Sequence, residues 1–164
     1  MRKYLYHTPE DFSDLWLMGD GGLLTGLWFE GSRDTVKHRM NSEAAEPAGP
    51  EAFADTVRWL DLYFSGRRPD FTPGYRLEHL TPFRREVIDL MLAIPYGTTV
   101  TYGQLAERLA AAHGIPKMSS RAVGGAVGWN PICLIIPCHR VVGGNGSLTG
   151  YGGGIRNKTA LLTL

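Results

Sequence analysis

Thr101-Tyr102-Gly103-Gln104-Leu105-Ala106-Glu107-Arg108-Leu109-Ala110 reads as a helix, His113-Gly114-Ile115-Pro116-Lys117-Met118 as a break, and Ser119-Ser120-Arg121-Ala122-Val123-Gly124-Gly125-Ala126-Val127-Gly128 as a second helix. Two short helices around a glycine-bearing break predict a helix-turn-helix. The second helix is unusual, with three glycines and two alanines in ten residues, although an interior glycine costs about 1 kcal/mol relative to alanine. Such a helix needs close approach to something. That partner is either a neighbouring helix or a nucleic-acid groove, with Arg121 the one long side chain on a small surface. The segment alone leaves both open.

Downstream, Leu134-Ile135-Ile136 reads as a buried strand running into Pro137-Cys138-His139-Arg140-Val141-Val142. A free thiol has a pKa of about 8.5, so only a few per cent is thiolate at neutral pH. A neighbouring imidazole or guanidinium raises that fraction, which makes Cys138 a candidate nucleophile. The plain alternative is a small buried residue. A zinc site is set aside: Cys133 and Cys138 are separated by the expected strand and Pro137, and His7, His38, His79 and His113 are scattered. No cofactor is implied. The tract Gly143 to Gly154 has no lysine at the Walker spacing and opens no βαβ unit. It is either a surface loop or a backbone-lined wrap for a flat ligand, with Tyr151 as a stacking wall.

Upstream, Thr81 is a predicted N-cap with Pro82 at the first helical position, and Phe83, Val87, Leu90, Met91 and Ile94 form one apolar face ended by Pro95-Tyr96-Gly97. Residues 3–7 predict a strand, and Phe12–Met18 and Leu23–Phe29 a hairpin around Gly19-Asp20-Gly21-Gly22. Residues 40–50 read as a loop, Glu51–Phe64 as a helix closed by Gly66, and Arg67–Tyr75 as a linker. The division expected is an N-terminal α/β domain over 1–75 and a mainly helical domain over 76–164.

The 164 residues are 43% hydrophobic and 20% charged, which suffices for a packed core and argues against disorder. The apolar runs fall far short of the roughly 20 residues a bilayer span needs, so no membrane association is expected. The first residues lack a signal-peptide core. Two cysteines build no disulfide framework, which points to a reducing compartment. Residues 1–81 hold 9 Lys/Arg against 13 Asp/Glu, whereas residues 82–164 hold 8 against 3. A basic second half suits an anionic partner such as nucleic acid.

The run Pro137-Cys138-His139-Arg140 closely resembles the active-site signature of the O6-alkylguanine-DNA alkyltransferases. Ile94-Pro95-Tyr96-Gly97, Thr101 to Ala106, Arg121-Ala122-Val123-Gly124, Asn130-Pro131 and Tyr151-Gly152-Gly153-Gly154 extend the likeness in the family's order, and Leu24 to Phe29 resembles the first domain of bacterial members. The resemblance implies a ribonuclease H-like N-terminal domain and a winged-helix-like helix-turn-helix beyond it. It also implies a cytoplasmic, nucleoid-associated monomer that binds duplex DNA in the minor groove and flips an O6-alkylguanine out of the stack. The alkyl group, methyl above all, then passes irreversibly to Cys138, and O4-alkylthymine is a second substrate.

The same resemblance assigns roles. His139 acts through a water as the base, Tyr102 contacts the flipped guanine, and Arg121 fills the vacated stack. Ser119, Ser120, Ala122, Gly124, Gly125 and Ala126 make the close-docking face. Asn130 ties this element to the cysteine. Tyr151, Gly152 and Gly153 wall the pocket, and the carbonyls of Cys138 and Val141 face the guanine amino group. The sequence departs from the family in three ways. The relay glutamate would by count follow Leu164, so that either a longer chain supplies it or the α-carboxylate of Leu164 stands in; Cys133 is expected to be buried and inert; and the break at Ala111–Met118 is longer than the family's turn. The rival readings are a lesion binder with weak or no transfer, which would lack Cys138 or carry it without the relay glutamate; a helix-turn-helix regulator, which this glycine-rich helix suits poorly; and a cysteine hydrolase, which has no use for Arg121.

Overall fold

A computed structural model describes residues 1–144, 151 and 153–163. Gly21 and Gly22 take φ of 58° and 80°, the left-handed pair that a tight hairpin requires. They join β2 (Leu15–Asp20) to β3 (Leu23–Phe29) in the predicted hairpin. β1 (Arg2–Tyr6) pairs antiparallel with β2, and β4 (Glu46–Pro47) pairs parallel with β1, giving the order β3-β2-β1-β4. Between β3 and β4 lies α1 (Thr35–Ala44), which replaces the first half of the loop expected over 40–50. Its apolar side chains Val36 and Met40 face solvent and only His38 is buried, so no apolar stripe marked it as a helix. A 3₁₀ turn at Pro50–Phe53 leads into α2 (Ala54–Phe64), closed at Gly66 with φ of 81°.

The segment read as a linker is pinned to the sheet. Leu24 donates to the Gly74 carbonyl at 2.9 Å and accepts from the Arg76 N–H at 2.8 Å.

Beyond it, α3 (Pro82–Leu92) is capped by Thr81, and α4 (Tyr102–His113) by a reciprocal capping box between Thr101 and Gln104. Gly114 at φ 65° ends α4, and Ser119 caps α5 (Ser120–Gly128). Short strands β5 (Val100–Thr101) and β6 (Val141–Val142) pair in parallel, and α6 (Ile155–Leu162) follows.

One expectation fails. Leu134-Ile135-Ile136 is not a strand but a tight turn, with Leu134 at φ 68° and Ile136 N–H bonded to the Ile132 carbonyl. The place beside β3 is taken by the residues just before it: Leu27 donates to Pro131 and accepts from Cys133, each at 3.0 Å. An apolar run tells that a segment is buried, not which backbone groups it pairs with. Those bonds stitch the two halves, and one hydrophobic cluster runs from Leu27 and Leu60 through Val87 and Leu105 to Ile136. Among the described residues, no helix is long and apolar enough to cross a membrane.

Candidate active site

Cys138 opens a 3₁₀ turn over Cys138–Arg140, entered through Pro137 and held by its N–H on the Ile136 carbonyl at 2.8 Å. It is a free thiol and buried. Burial pushes its pKa up and the Asp34 charge adds to this, opposed by a hydrogen bond from Asn130 and by the charges of Lys37 and Lys158. The resting group is therefore the thiol, and its proton must be taken during any reaction. Asn130 is buried and doubly anchored, donating to Ile136 at 2.8 Å and accepting from the Ile132 N–H at 3.0 Å. It ties the end of α5 to the cysteine turn.

Sequence adjacency suggested His139 or Arg140 as the cation beside the thiol. His139 is 1% exposed, and burial followed by the charges of Arg140 and Lys158 lowers its pKa to about 3, so the ring is neutral. Its Nε2 lies 3.0 Å from the Tyr63 hydroxyl. Arg140 turns away, donating to the Ile94 carbonyl at 3.1 Å and stacking toward Tyr96. The cations that act on Cys138 are Lys37, from α1, and Lys158, from α6.

The cavity at Cys138 is lined by Asp34, Lys37, Tyr102, Gly128, Asn130 and Tyr151, and measures about 10 Å³, room for roughly one water. Asp34 and Lys37 form an ion pair at 2.7 Å, and Lys37 also donates to the Asn130 carbonyl at 3.1 Å. Tyr102 is half-buried, and burial raises its phenol pKa. Tyr151 is buried beneath Lys158, its hydroxyl without a partner among the described residues. A Cβ on Gly153 would meet the Tyr151 ring at 2.6 Å, which explains the glycine there. Val141 is buried, and its carbonyl accepts from Lys158 Nζ at 2.6 Å while the Cys138 carbonyl accepts from the Val141 N–H. One lone pair of each carbonyl is therefore engaged inside the protein. Gly152 and Leu164 lie outside the described residues.

The helix-turn-helix face divides in two. Ser119, Ser120, Arg121, Ala122 and Gly125 are exposed and Gly124 is half-buried. Ala126, expected on the docking face, is instead buried at 5% exposure against the core with Val123 and Val127. The helical period turns it inward, so Gly128 takes its place on the small face. Among the described residues, a Cβ added at Gly124, Gly125 or Gly128 would meet nothing within 4 Å. Packing on a neighbouring helix is therefore not what keeps these residues small. Cys133 is buried with its pKa pushed well up by burial. Among the described residues no cluster of three metal-ligating side chains occurs.

Lys158, Tyr63, Asp34 and Lys37 escaped the sequence reading. The one signal for Lys158 was a lysine spaced three residues from both Ile155 and Leu161 on a short helix. Nothing in the sequence brings α1 or α2 to the cysteine.

Residues 82–164 match the family model described as "6-O-methylguanine DNA methyltransferase, DNA binding domain". The chain is 42% identical over 156 residues to the methylated-DNA–protein-cysteine methyltransferase of Mycobacterium tuberculosis H37Rv, covering 92% of this chain and 84% of that one. It is 38% identical over 156 residues to the protein of the same name from Salmonella typhimurium LT2, covering 90% and 86%. The structure superposes on Mycobacterium tuberculosis OGT in complex with DNA with a TM-score of 0.83 at 37% identity, over 100% of this chain and 92% of that chain. The O6-methylguanine-DNA methyltransferase of Pyrococcus kodakaraensis matches with a TM-score of 0.64 at 25% identity, over 99% and 96%.

Proposed function

The chain belongs to the family of methylated-DNA–protein-cysteine methyltransferases, and we infer from this that it reverses O6-alkylguanine damage in duplex DNA by moving the alkyl group onto Cys138. The protein is a methyltransferase that repairs DNA directly, one lesion per molecule. The observation that carries the reading is the unpacked glycine face of α5, which ends at Gly128 on the wall of the Cys138 cavity.

On this reading α5 docks in the minor groove, about 6 Å wide. Ser119, Ser120, Ala122, Gly124 and Gly128 allow close approach, and Arg121 enters the stack. The flipped guanine requires the present cavity to open, since it holds no purine as it stands. His139 takes the thiol proton through a water. The sulfur electron pair then forms the S–C bond in line, and the C–O6 pair leaves with guanine, which ends with the proton that Cys138 gave up. The Tyr102 phenol lines the cavity and stays protonated, which suits it to hydrogen-bond the leaving base. Tyr151, against which Gly153 packs, forms the far wall. The Val141 and Cys138 carbonyls each keep a second lone pair for the guanine amino group. O4-alkylthymine enters the same way.

The sheet order β3-β2-β1-β4 with a parallel β4 supports a ribonuclease H-like N-terminal part. The β5–β6 pair beside α4 supports a winged helix-turn-helix. The family model begins at Pro82, which supports a division near residue 75. A monomer working on DNA in the cytoplasm, at the nucleoid, fits this function.

Intact-mass analysis after mixing with a duplex carrying one O6-methylguanine tests it. One methyl is gained, on the Cys138 peptide and not on Cys133, and Cys138→Ala gains none. Lesion-selective binding with no mass gain would overturn the transfer reading in favour of a lesion binder.

A further inference from the structure

Tyr63 lies on α2, in the half of the chain remote in sequence from the cysteine. It is 3% exposed and its hydroxyl meets His139 Nε2 at 3.0 Å. Its ring is clamped, stacked on Trp59 at 4.9 Å between centroids and edge-on to Tyr96 and to the His139 ring. The second imidazole nitrogen, Nδ1, is buried with no partner among the described residues. We propose that Tyr63 is the positioning residue that sets the His139 tautomer, accepting from Nε2–H so that the lone pair sits on Nδ1, the nitrogen left to take the Cys138 proton. This rests on the reading of Cys138 and His139 given above.

A neutral imidazole carries one N–H. Were it on Nδ1, a buried donor would be orphaned, which proteins avoid more strictly than an orphaned acceptor. With the hydrogen on Nε2, the donor is paired and only an acceptor stays free. The Tyr63 proton then needs its own outlet. A cavity of about 150 Å³ lined by Tyr63, Tyr96, Thr98, His139, Arg140 and Leu161 opens on that side, enough for several waters. Arg140, which also lies beside the Tyr63 hydroxyl, donates only and cannot take that proton from Tyr63. The geometry also suits the reaction. When Nδ1 receives the thiol proton, the Nε2–H bond to Tyr63 persists, and the ring need not turn. A tyrosine held between aromatic rings is a stiff support of the kind that orients a catalytic histidine.

The test is the nitrogen-15 NMR signature of His139 in the whole protein at pH 7, read without DNA. The expected pattern is a protonated Nε2 and an unprotonated Nδ1; a proton on Nδ1 would overturn the proposal with no variant needed. In Tyr63→Phe, which keeps the ring packing, the signals move toward a mixture of tautomers. Methyl transfer from an O6-methylguanine duplex slows roughly tenfold or more, with duplex affinity unchanged. An unchanged tautomer and an unchanged rate would equally sink it. Cys138→Ala separates the two readings. It abolishes transfer if Cys138 is the acceptor, and it leaves the His139 tautomer in place if Tyr63 sets it.

Discussion

Lys158 Nζ lies 2.6 Å from the carbonyl oxygen of Val141, with both residues at 0% exposure. A lysine on the last described helix thus delivers a buried ammonium to the segment just past the cysteine, where its charge favours the Cys138 thiolate. Burial lowers the lysine's own pKa, partly restored by the charge of the Cys138 thiolate. Lys158→Met keeps the apolar stem and removes the charge. The Cys138 pKa should rise, and modification of Cys138 by iodoacetamide at pH 7 should slow, about tenfold for each unit of rise. An unchanged rate would show that the ammonium does not act on the thiol.

Asn130→Ala removes two anchors at once, the bonds to Ile136 and Ile132, and the hydrogen bond that stabilises the Cys138 thiolate. The buried Ile132 N–H is left unpaired, at about 1–3 kcal/mol, while the Ile136 carbonyl keeps the Cys138 N–H and loses one of its two donors, at about 0.5–1.5 kcal/mol. Urea unfolding should show a loss of roughly 2–4 kcal/mol, and the thiol pKa should move further up. A variant as stable as the parent would mean that other groups satisfy the cysteine turn.

Gly124→Ala and Gly125→Ala separate stability from docking. Neither Cβ meets a neighbour within 4 Å among the described residues, so each should stabilise the free protein by about 0.5–1 kcal/mol through helix propensity. Each should also weaken duplex binding, because the added methyl stands on the face that approaches the groove. Fluorescence anisotropy with a labelled duplex, beside thermal melting, checks both arms. Gains in both stability and affinity would place the DNA elsewhere.

Stability should fall on mild acidification. Burial lowers the pKa of His38 to about 4 and that of His139 to about 3, from an ordinary 6.5. Below pH 6.5 the unfolded chain takes up protons that the folded chain refuses, so stability rises with pH. The contribution is complete above pH 6.5 and is lost as pH falls toward 4 and 3, at up to about 1.4 kcal/mol per unit for each histidine. Urea midpoints from about pH 7 to pH 5, a window above most carboxylate titration, should show this slope. His38→Phe, which keeps a ring stacked 4.1 Å from Trp28, should halve it. A flat profile would mean that His139 and His38 are not held neutral.

Signals confined to a few neighbouring residues, or repeated along one helix face, were legible in the sequence alone. Caps at Thr81, Thr101 and Ser119, left-handed glycines at Gly21-Gly22 and Gly114, and the apolar stripe of α3 each act within a few residues, so their signals survive without the fold. The likeness around Pro137-Cys138-His139-Arg140 marked the reactive turn for the same reason. The tertiary structure decided what lies far apart along the chain. Solvent-facing Val36 and Met40 hid α1, the core accepted Leu134–Ile136 as a turn, and helical phase turned Ala126 inward. Above all, the charges beside Cys138 come from Lys37 and Lys158, and the partner of His139 is Tyr63, 76 residues away. Burial strengthens each of these interactions by excluding water, and burial belongs to the assembled core, not to any segment of it.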